Sequence, residues 1–267
     1  RILTEICHGG LCRASLGIVE LNNYTLPQIT VDSLHPYNSI YRMQFGHILD
    51  GRIISGPLRQ YLDSESESDV YPYGDKADAG IAVIESHDIP SNEWVLSLAK
   101  KSSVSADNLY LIIAPSHSIS GVTQVAGRVN ENVLFTMEKS LAYDSRKVRH
   151  IIGSVPVAPY STKGNKERTA LPDDFIHYAG SVFITLAADP EDNIGELARN
   201  LCFSASSIYG SSFYDLLAEA NGVFEDIPDL LNIFKVARVT INEVNSGKVY
   251  TAGKFNYELL SKFMELP

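Results

Sequence analysis

Apolar and polar positions alternate with a period of two in two early stretches, Ala14 to Leu21 and Gln28 to Leu34. This predicts two strands, joined by a turn at Asn22-Asn23. Ahead of them Ile2, Leu3 and Ile6 fall at helical spacing, and Gly9-Gly10 supplies the stop. Further along, Ile40 to Phe45 reads as a strand. Ser55 to Leu62 reads as a helix capped by Ser55, with Pro57 in its first turn. Ala79 to Ser86 is an apolar run of strand length, and Trp94, Val95, Leu98 and Ala99 mark a helix within Pro90 to Lys101. A second apolar run, Asn108 to Ile113, ends at Ala114-Pro115 and empties into a loop of small hydroxyl residues. Gln124 to Leu141 then carries Val125, Val129, Val133 and Met137 on one helical face.

The second half repeats the mixture. His150 to Val155 is apolar, Tyr160 to Leu171 is a polar loop, and Asp174 to Gly180 leads into a strand at Ser181 to Ala188. Helices follow at Pro190 to Leu201 and Tyr214 to Ala220. A hairpin runs from Ala237 to Val244 and Lys248 to Ala252 across Asn245-Ser246-Gly247, and Asn256 to Met264 closes the chain as a helix. Strands and helices mixed in this way predict an α/β protein with α+β type sheets. One internal similarity stands out. The segments starting at Ala79 and Ala179 each read Ala-Gly, strand, Asp and Pro turn, amphipathic helix. The similarity suggests two α/β lobes built alike, with a cleft between them.

Composition narrows the function. The 267 residues are 45% hydrophobic and 20% charged, enough for a sizeable core. A net charge of −10 argues against a nucleic-acid partner. No apolar run approaches the ~18 residues of a membrane span, and no signal peptide is visible, so the expectation is a cytoplasmic enzyme. Because the chain starts at Arg1 inside a helical pattern, an N-terminal segment is expected to be missing. Cys7, Cys12 and Cys202 form no disulfide or zinc pattern and read as buried apolar residues. The acidic run Ser64 to Asp69 reads as a solvated loop, and Arg146 to His150 as a helix end and turn.

Motifs for nucleotides, metals and serine hydrolysis are missing from the chain, and its seven histidines show no metal-ligand spacing. What remains is Arg128 and Glu131. At i and i+3 on one helix they share a face, which is either a surface ion pair or a working one. Their place after a Ser/Gly loop at the end of a buried strand raises the second beside the first. A carboxylate held by a guanidinium stays ionised and oriented, as a general base acting on water requires.

At these residues the chain resembles the methenyltetrahydromethanopterin cyclohydrolases. The family pattern is a strand, Ala-Pro, a Ser-Ile-x-Gly loop, a Gln, then Arg-Val-x-Glu. Here it is met by Ala114-Pro115, Ser118-Ile119-Ser120-Gly121, Gln124 and Arg128-Val129-Asn130-Glu131. Further segments follow in family order: EICHGGL from Glu5, SGPLR from Ser55, VPVAP from Val155, DFIHYAG from Asp174, SASSIYGSSFY from Ser204, and the tail from Val239 to Leu260. The chain departs from the pattern at Leu58 and Gln60, where the family prefers alanines, and at His117. Ser207, Ile208 and Ser211 stand where the family usually has charged residues, two of them lysines.

The resemblance implies a cyclohydrolase that interconverts 5,10-methenyl- and 5-formyl-tetrahydromethanopterin in one-carbon metabolism of archaea and methylotrophic bacteria. It implies Glu131 as the base and Arg128 as its holder, in contact with the pterin carbonyl. Substrate contacts are expected from Ser55, Gly56, Pro57, Arg59, Ser116, Ser118, Gly121, Gln124, Tyr178, Ser204 and Ser206. Neither metal nor cofactor is expected beyond the pterin substrate. Two lobes are implied, 1–37 with 128–267 and 38–127, as is a homo-oligomer, often a trimer, with no membrane partner. Two other readings stay open: a paralogue that binds a pterin or folate-like ligand without turnover, and an interaction protein docking through Ser64 to Asp69 and Tyr160 to Arg168.

Overall fold

The computed structural model describes residues 1–62, 77–115, 118–160 and 166–265, with the side chains of 166–169 excepted. Helix α1 (Ile2–Cys7) turns at Gly9 and Gly10 into β1 (Cys12–Leu21). Strand β1 folds back on β2 (Tyr24–Leu34), with Leu21 opposite Tyr24, so that Asn22-Asn23 is the whole turn. Asn22 sits at φ 50°, a left-handed conformation that Asn tolerates.

Among the described residues ten strands form two sheets. The smaller has the order β3 (His47–Leu49), β4 (Arg52–Ser55), β5 (Gly80–Glu85), β6 (Leu109–Ala114). The larger adds β7 (Val148–Pro156), β8 (Ser181–Leu186), β9 (Arg238–Glu243) and β10 (Val249–Gly253) to the hairpin, in the order β1-β2-β7-β8-β9-β10. Pairing is antiparallel except for β5 with β6 and β8 with β9. Parallel neighbours need a crossover, usually helical. Helix α2 (Asn92–Ser102) lies between β5 and β6, and α6 (Ile194–Asn200) between β8 and β9. These are the two segments that resemble each other in sequence.

The main core lies on one face of the larger sheet. Ile29, Val31, Ile151, Val155, Val182, Ile184, Val239 and Ile241 pack with α3 (Ile119–Ala126), α4 (Val129–Phe135) and α5 (Lys166–Ala179). A smaller cluster of Leu49, Ile54, Leu58, Ala82, Ile84, Leu98 and Val104 serves the other sheet. No helix of the described residues is long and apolar enough to cross a membrane.

Several sequence expectations give way here. Ile40 to Phe45 is not a strand: Tyr37–Gln44 is a wide-turned π-helix that buries Ser39, Ile40, Met43 and Gln44. The rings of Tyr37 and Tyr41 stack on its opposite side, 5.2 Å apart. The i, i+3 and i+4 matches outweigh an alternation read over six residues. The long helix from Gln124 is three pieces, α3, α4 and a π-turn at Thr136–Ser140. It breaks at Gly127, where even a Cβ would come within 2.6 Å of Thr4 Oγ1. Ser55 caps no helix; it ends β4, and Gly56 precedes a 3-10 helix at Pro57–Tyr61. The polar loop to Leu171 stops early, because α5 begins at Lys166. Asp174 to Ala179 are its last residues, and they lead into β8. His150 lies within β7, so the basic stretch is not a turn alone. Cys7 and Cys202 are buried, whereas Cys12 is half-buried. Ser64 to Asp69 lies outside the described residues.

Candidate active site

Two backbone devices bring the site together. At the end of β4 the chain passes through Gly56 at φ +104°, which only glycine adopts without strain. Its N–H donates to Met43 O at 2.7 Å, and a Cβ there would lie 3.3 Å from Ile81 O. Ser55 is thereby fixed against β5 at 1% exposure. On the other side Ser118 caps α3: its Oγ accepts from Gly121 N at 3.0 Å and donates to Pro115 O at 2.7 Å. Helix α3 delivers Gln124, the chain turns at Gly127, and α4 begins. Asn130 locks α4 to the larger sheet by donating to Val31 O and Ser33 Oγ, each at 3.0 Å. Glu131 is on the next residue.

Arg128 and Glu131 are not a surface pair. Their side chains are 15% and 7% exposed. Nη1 of Arg128 donates to both carboxylate oxygens of Glu131, at 2.8 and 2.6 Å, and to Gln44 O at 3.4 Å. Nη2 donates to Ser55 Oγ at 2.7 Å. The Gln124 amide is assigned with its oxygen toward Arg128, where it accepts from Nη2 at 3.2 Å and Nε at 3.0 Å. One guanidinium thus ties α4 to β4, α3 and the Tyr37–Gln44 helix. All five of its N–H groups have protein acceptors.

Burial pushes the Glu131 carboxyl above its ordinary value, against Arg128, the Gly46 N–H and Arg59, which hold it down. Burial works against the charge of Arg128 too, but Glu131, Cys7 and Glu85 raise its pKa. For Glu131 the net direction is upward, because the loss of water around the buried carboxylate outweighs its partners. A second acid lies near. Asp173 of α5 is lifted to about 7, first by burial and then by the negative charge of Glu85, with Arg128 opposing. Glu85 is the last residue of β5, at its carboxyl end, where open α/β sheets place their chemistry.

The anticipated residues divide into groups. Ser55, Gln124, Arg128 and Glu131 are in direct contact. Gly56, Pro57 and Arg59 follow Ser55 directly, and Arg59 Nη1 donates to Tyr41 O at 2.5 Å. Ser118 and Gly121 build the start of α3. Ser116 lies outside the described residues. Tyr178 is buried in α5; its hydroxyl donates to Ser211 O at 2.8 Å and accepts from Gly210 N at 3.1 Å. It steadies the loop that carries exposed Ser204 and buried Ser206. Those three do not touch the ion pair. Ser207 donates to Asp229 Oδ2. Sequence reasoning missed Gln44, His8, Glu85 and Asp173. Glu85 carried a usable signal, an acid at the end of an apolar strand; Gln44 was hidden by the mistaken strand.

Comparison with known proteins agrees with the geometry. The family model described as Cyclohydrolase (MCH) matches residues 1–263. A methenyltetrahydromethanopterin cyclohydrolase of Methanocaldococcus jannaschii is 31% identical over 270 residues, covering 98% of this chain and 83% of that protein. Proteins of the same description from Methanothermobacter marburgensis and Methanococcus maripaludis strain C5 are 31% and 30% identical, over 98% and 99% of this chain and 83% and 84% of theirs.

Proposed function

The chain belongs to the methenyltetrahydromethanopterin cyclohydrolase family, and from that premise we propose that Glu131 and Arg128 carry the family's reaction in it. The enzyme is a hydrolase that interconverts 5,10-methenyl- and 5-formyl-tetrahydromethanopterin. The methenyl carbon lies between two nitrogens and shares their positive charge. Water can therefore add to it without a metal or redox cofactor.

The observation that carries the assignment is the buried carboxylate of Glu131, gripped on one side by Nη1 of Arg128 and held above its ordinary pKa by burial. In our reading Glu131 takes a proton from water as the oxygen bonds to the methenyl carbon. The adduct then collapses to the formyl group. The bond to one nitrogen breaks, that nitrogen takes the proton back from Glu131, and the hydroxyl proton leaves through the same carboxylate to solvent. One proton is released overall, which balances the lost cationic charge. A raised carboxyl pKa brings the base nearer to working pH, where proton transfer is most effective. A carboxylate facing a cation also stabilises the bound substrate. Arg128, with all its donors engaged, sets the direction and charge of Glu131.

In our reading the chain forms two lobes, 1–37 with 128–267 and 38–127, joined at the Arg128–Ser55 bond, with α3 and the Tyr37–Gln44 helix of the second packed on the core of the larger sheet. Ser204 and Ser206 meet the substrate side chain in this reading, Tyr178 holds their loop from behind, and the enzyme is a cytoplasmic homo-oligomer. The test is Glu131→Gln, followed by the decay of methenyl absorbance. We expect turnover to fall by about 10²- to 10⁴-fold. Near-full turnover in a folded variant removes Glu131 from the base role.

A further inference from the structure

His8 follows α1, 0% exposed, and neither ring nitrogen has a partner in good hydrogen-bond geometry among the described residues. Gln44, equally buried, has the same deficit at Oε1. The two side chains adjoin closely enough for a hydrogen bond between ring and amide. One bond between them would partner Gln44 Oε1 and one ring nitrogen together. Buried polar groups are rarely left unmade when a partner is so near.

The segment that Gln44 opens grips both members of the ion pair. Gln44 Nε2 donates to Gly127 O at 3.1 Å, and Gln44 O accepts from Arg128 Nη1 at 3.4 Å. Two residues on, the Gly46 N–H donates to Glu131. The turn after His8 is seated on the same helix: Gly9 lies against Met43, where a Cβ would meet Sδ at 2.6 Å.

We infer that His8 is a positioning residue for the catalytic pair, donating a ring N–H to Gln44 Oε1 and so fixing the segment that holds Gly127, Arg128 and Glu131. Burial, then the charge of Arg128, pushes the His8 pKa down to about 3, so the ring offers one donor and one acceptor and adds no cation behind the guanidinium. The inference rests on the assignment of Arg128 and Glu131 as the working pair.

Its test reads catalysis, not stability. His8→Phe keeps the ring's size and removes the donor. We expect kcat to fall by about tenfold with KM changed less than about twofold. The acid limb of the kcat profile should move to higher pH, because a slack Arg128 and Gly46 no longer hold the Glu131 pKa down. The other groups facing the pair are Cys7 of α1, Arg59 after β4, Glu85 of β5 and Asp173 of α5. All stay unchanged in the variant. His8→Asn and His8→Gln put an amide N–H near one ring nitrogen or the other, and one of them should restore the profile. Gln44→Met, which also removes the bond to Gly127 O, should cost at least as much as His8→Phe, and the double variant should cost no more than Gln44→Met alone. A wild-type profile in folded His8→Phe, rescue by neither amide, or additive losses in the double variant overturns the role. Should His8→Phe not fold, ¹⁵N-histidine NMR on the unaltered enzyme decides. A single ring N–H protected from exchange supports the bond; a freely exchanging one overturns it. Glu131→Gln separates the two levels: if it stays active, the pair assignment itself fails, whatever His8 does.

Discussion

Arg128 uses every donor it has on the protein, and that makes its neighbours testable one at a time. Ser55 Oγ takes one Nη2 hydrogen at 2.7 Å from another sheet. Ser55→Ala leaves that N–H buried without an acceptor. We expect kcat to fall roughly tenfold, equivalent to about 1.4 kcal/mol, with a far smaller effect on KM. Steady-state turnover of the purified variant checks it. Asp173 gives a pH-dependent case. Its carboxyl is raised from 3.8 to about 7 in the fold, by burial first and Glu85 second. The unfolded chain therefore releases this proton first as pH rises. Stability is lost progressively above the unfolded value and the loss is complete once pH passes the folded one. Asp173→Asn should then raise the melting temperature at about pH 8 by several degrees and leave it unchanged below about pH 4. Equal shifts at both pH values would show that the carboxyl is not raised. The pairing of Arg128 with Glu131 was legible in the sequence, because Arg and Glu at that spacing share a helical face. Its burial was not, since a pair pattern is the same on a surface or in a core.

At the scale of elements, α4 matters most, because it carries Glu131. It can lie close on β7 only because residue 153 is glycine: a Cβ there would sit 2.3 Å from Asn130 Oδ1 and 2.5 Å from Val129 Cγ1. Gly153→Ala should push α4 outward. We expect a loss of roughly 1–3 kcal/mol in urea unfolding, together with reduced kcat, since Glu131 moves with its helix. Unchanged kcat at reduced stability would show that α4 yields without tilting. Such packing was out of reach of pattern reading. Strong alternation revealed β1 and β2, and apolar runs revealed β5 and β6, because each needs only its own residues to be recognised. The Tyr37–Gln44 helix was misread because its buried residues include Ser39 and Gln44, which no hydropathy pattern places in a core. The break at Gly127 was missed for a related reason. It depends on Thr4 and Gln44, residues far away in sequence, which fill the space and take the carbonyl.

For the whole molecule, unequal cores set how the site fails. The larger sheet packs one extensive cluster with α3, α4, α5, α6 and the closing helix Tyr257–Met264, whereas the smaller sheet relies on Leu49, Ile54, Leu58, Ala82, Ile84, Leu98 and Val104. Each buried aliphatic side chain contributes about 1.5–3 kcal/mol. The smaller sheet therefore has less to hold it, and it supplies Ser55, Gly56 and Arg59. Regions with few buried apolar contacts open first, below the free energy of global unfolding. Arg128 bridges the two parts, so opening the smaller sheet also frees Glu131. We expect activity in a urea series to disappear at a lower concentration than the far-ultraviolet circular dichroism signal. Amide exchange should be faster in β3 and β4 than in β7 and β8. Saturating substrate should draw the two transitions together if it binds at the proposed site between them, since a ligand of the folded form stabilises it by an amount set by its concentration over Kd. Coincident loss of activity and secondary structure without substrate would mean that the two cores unfold as one unit, with the Arg128 bridge strong enough to couple them.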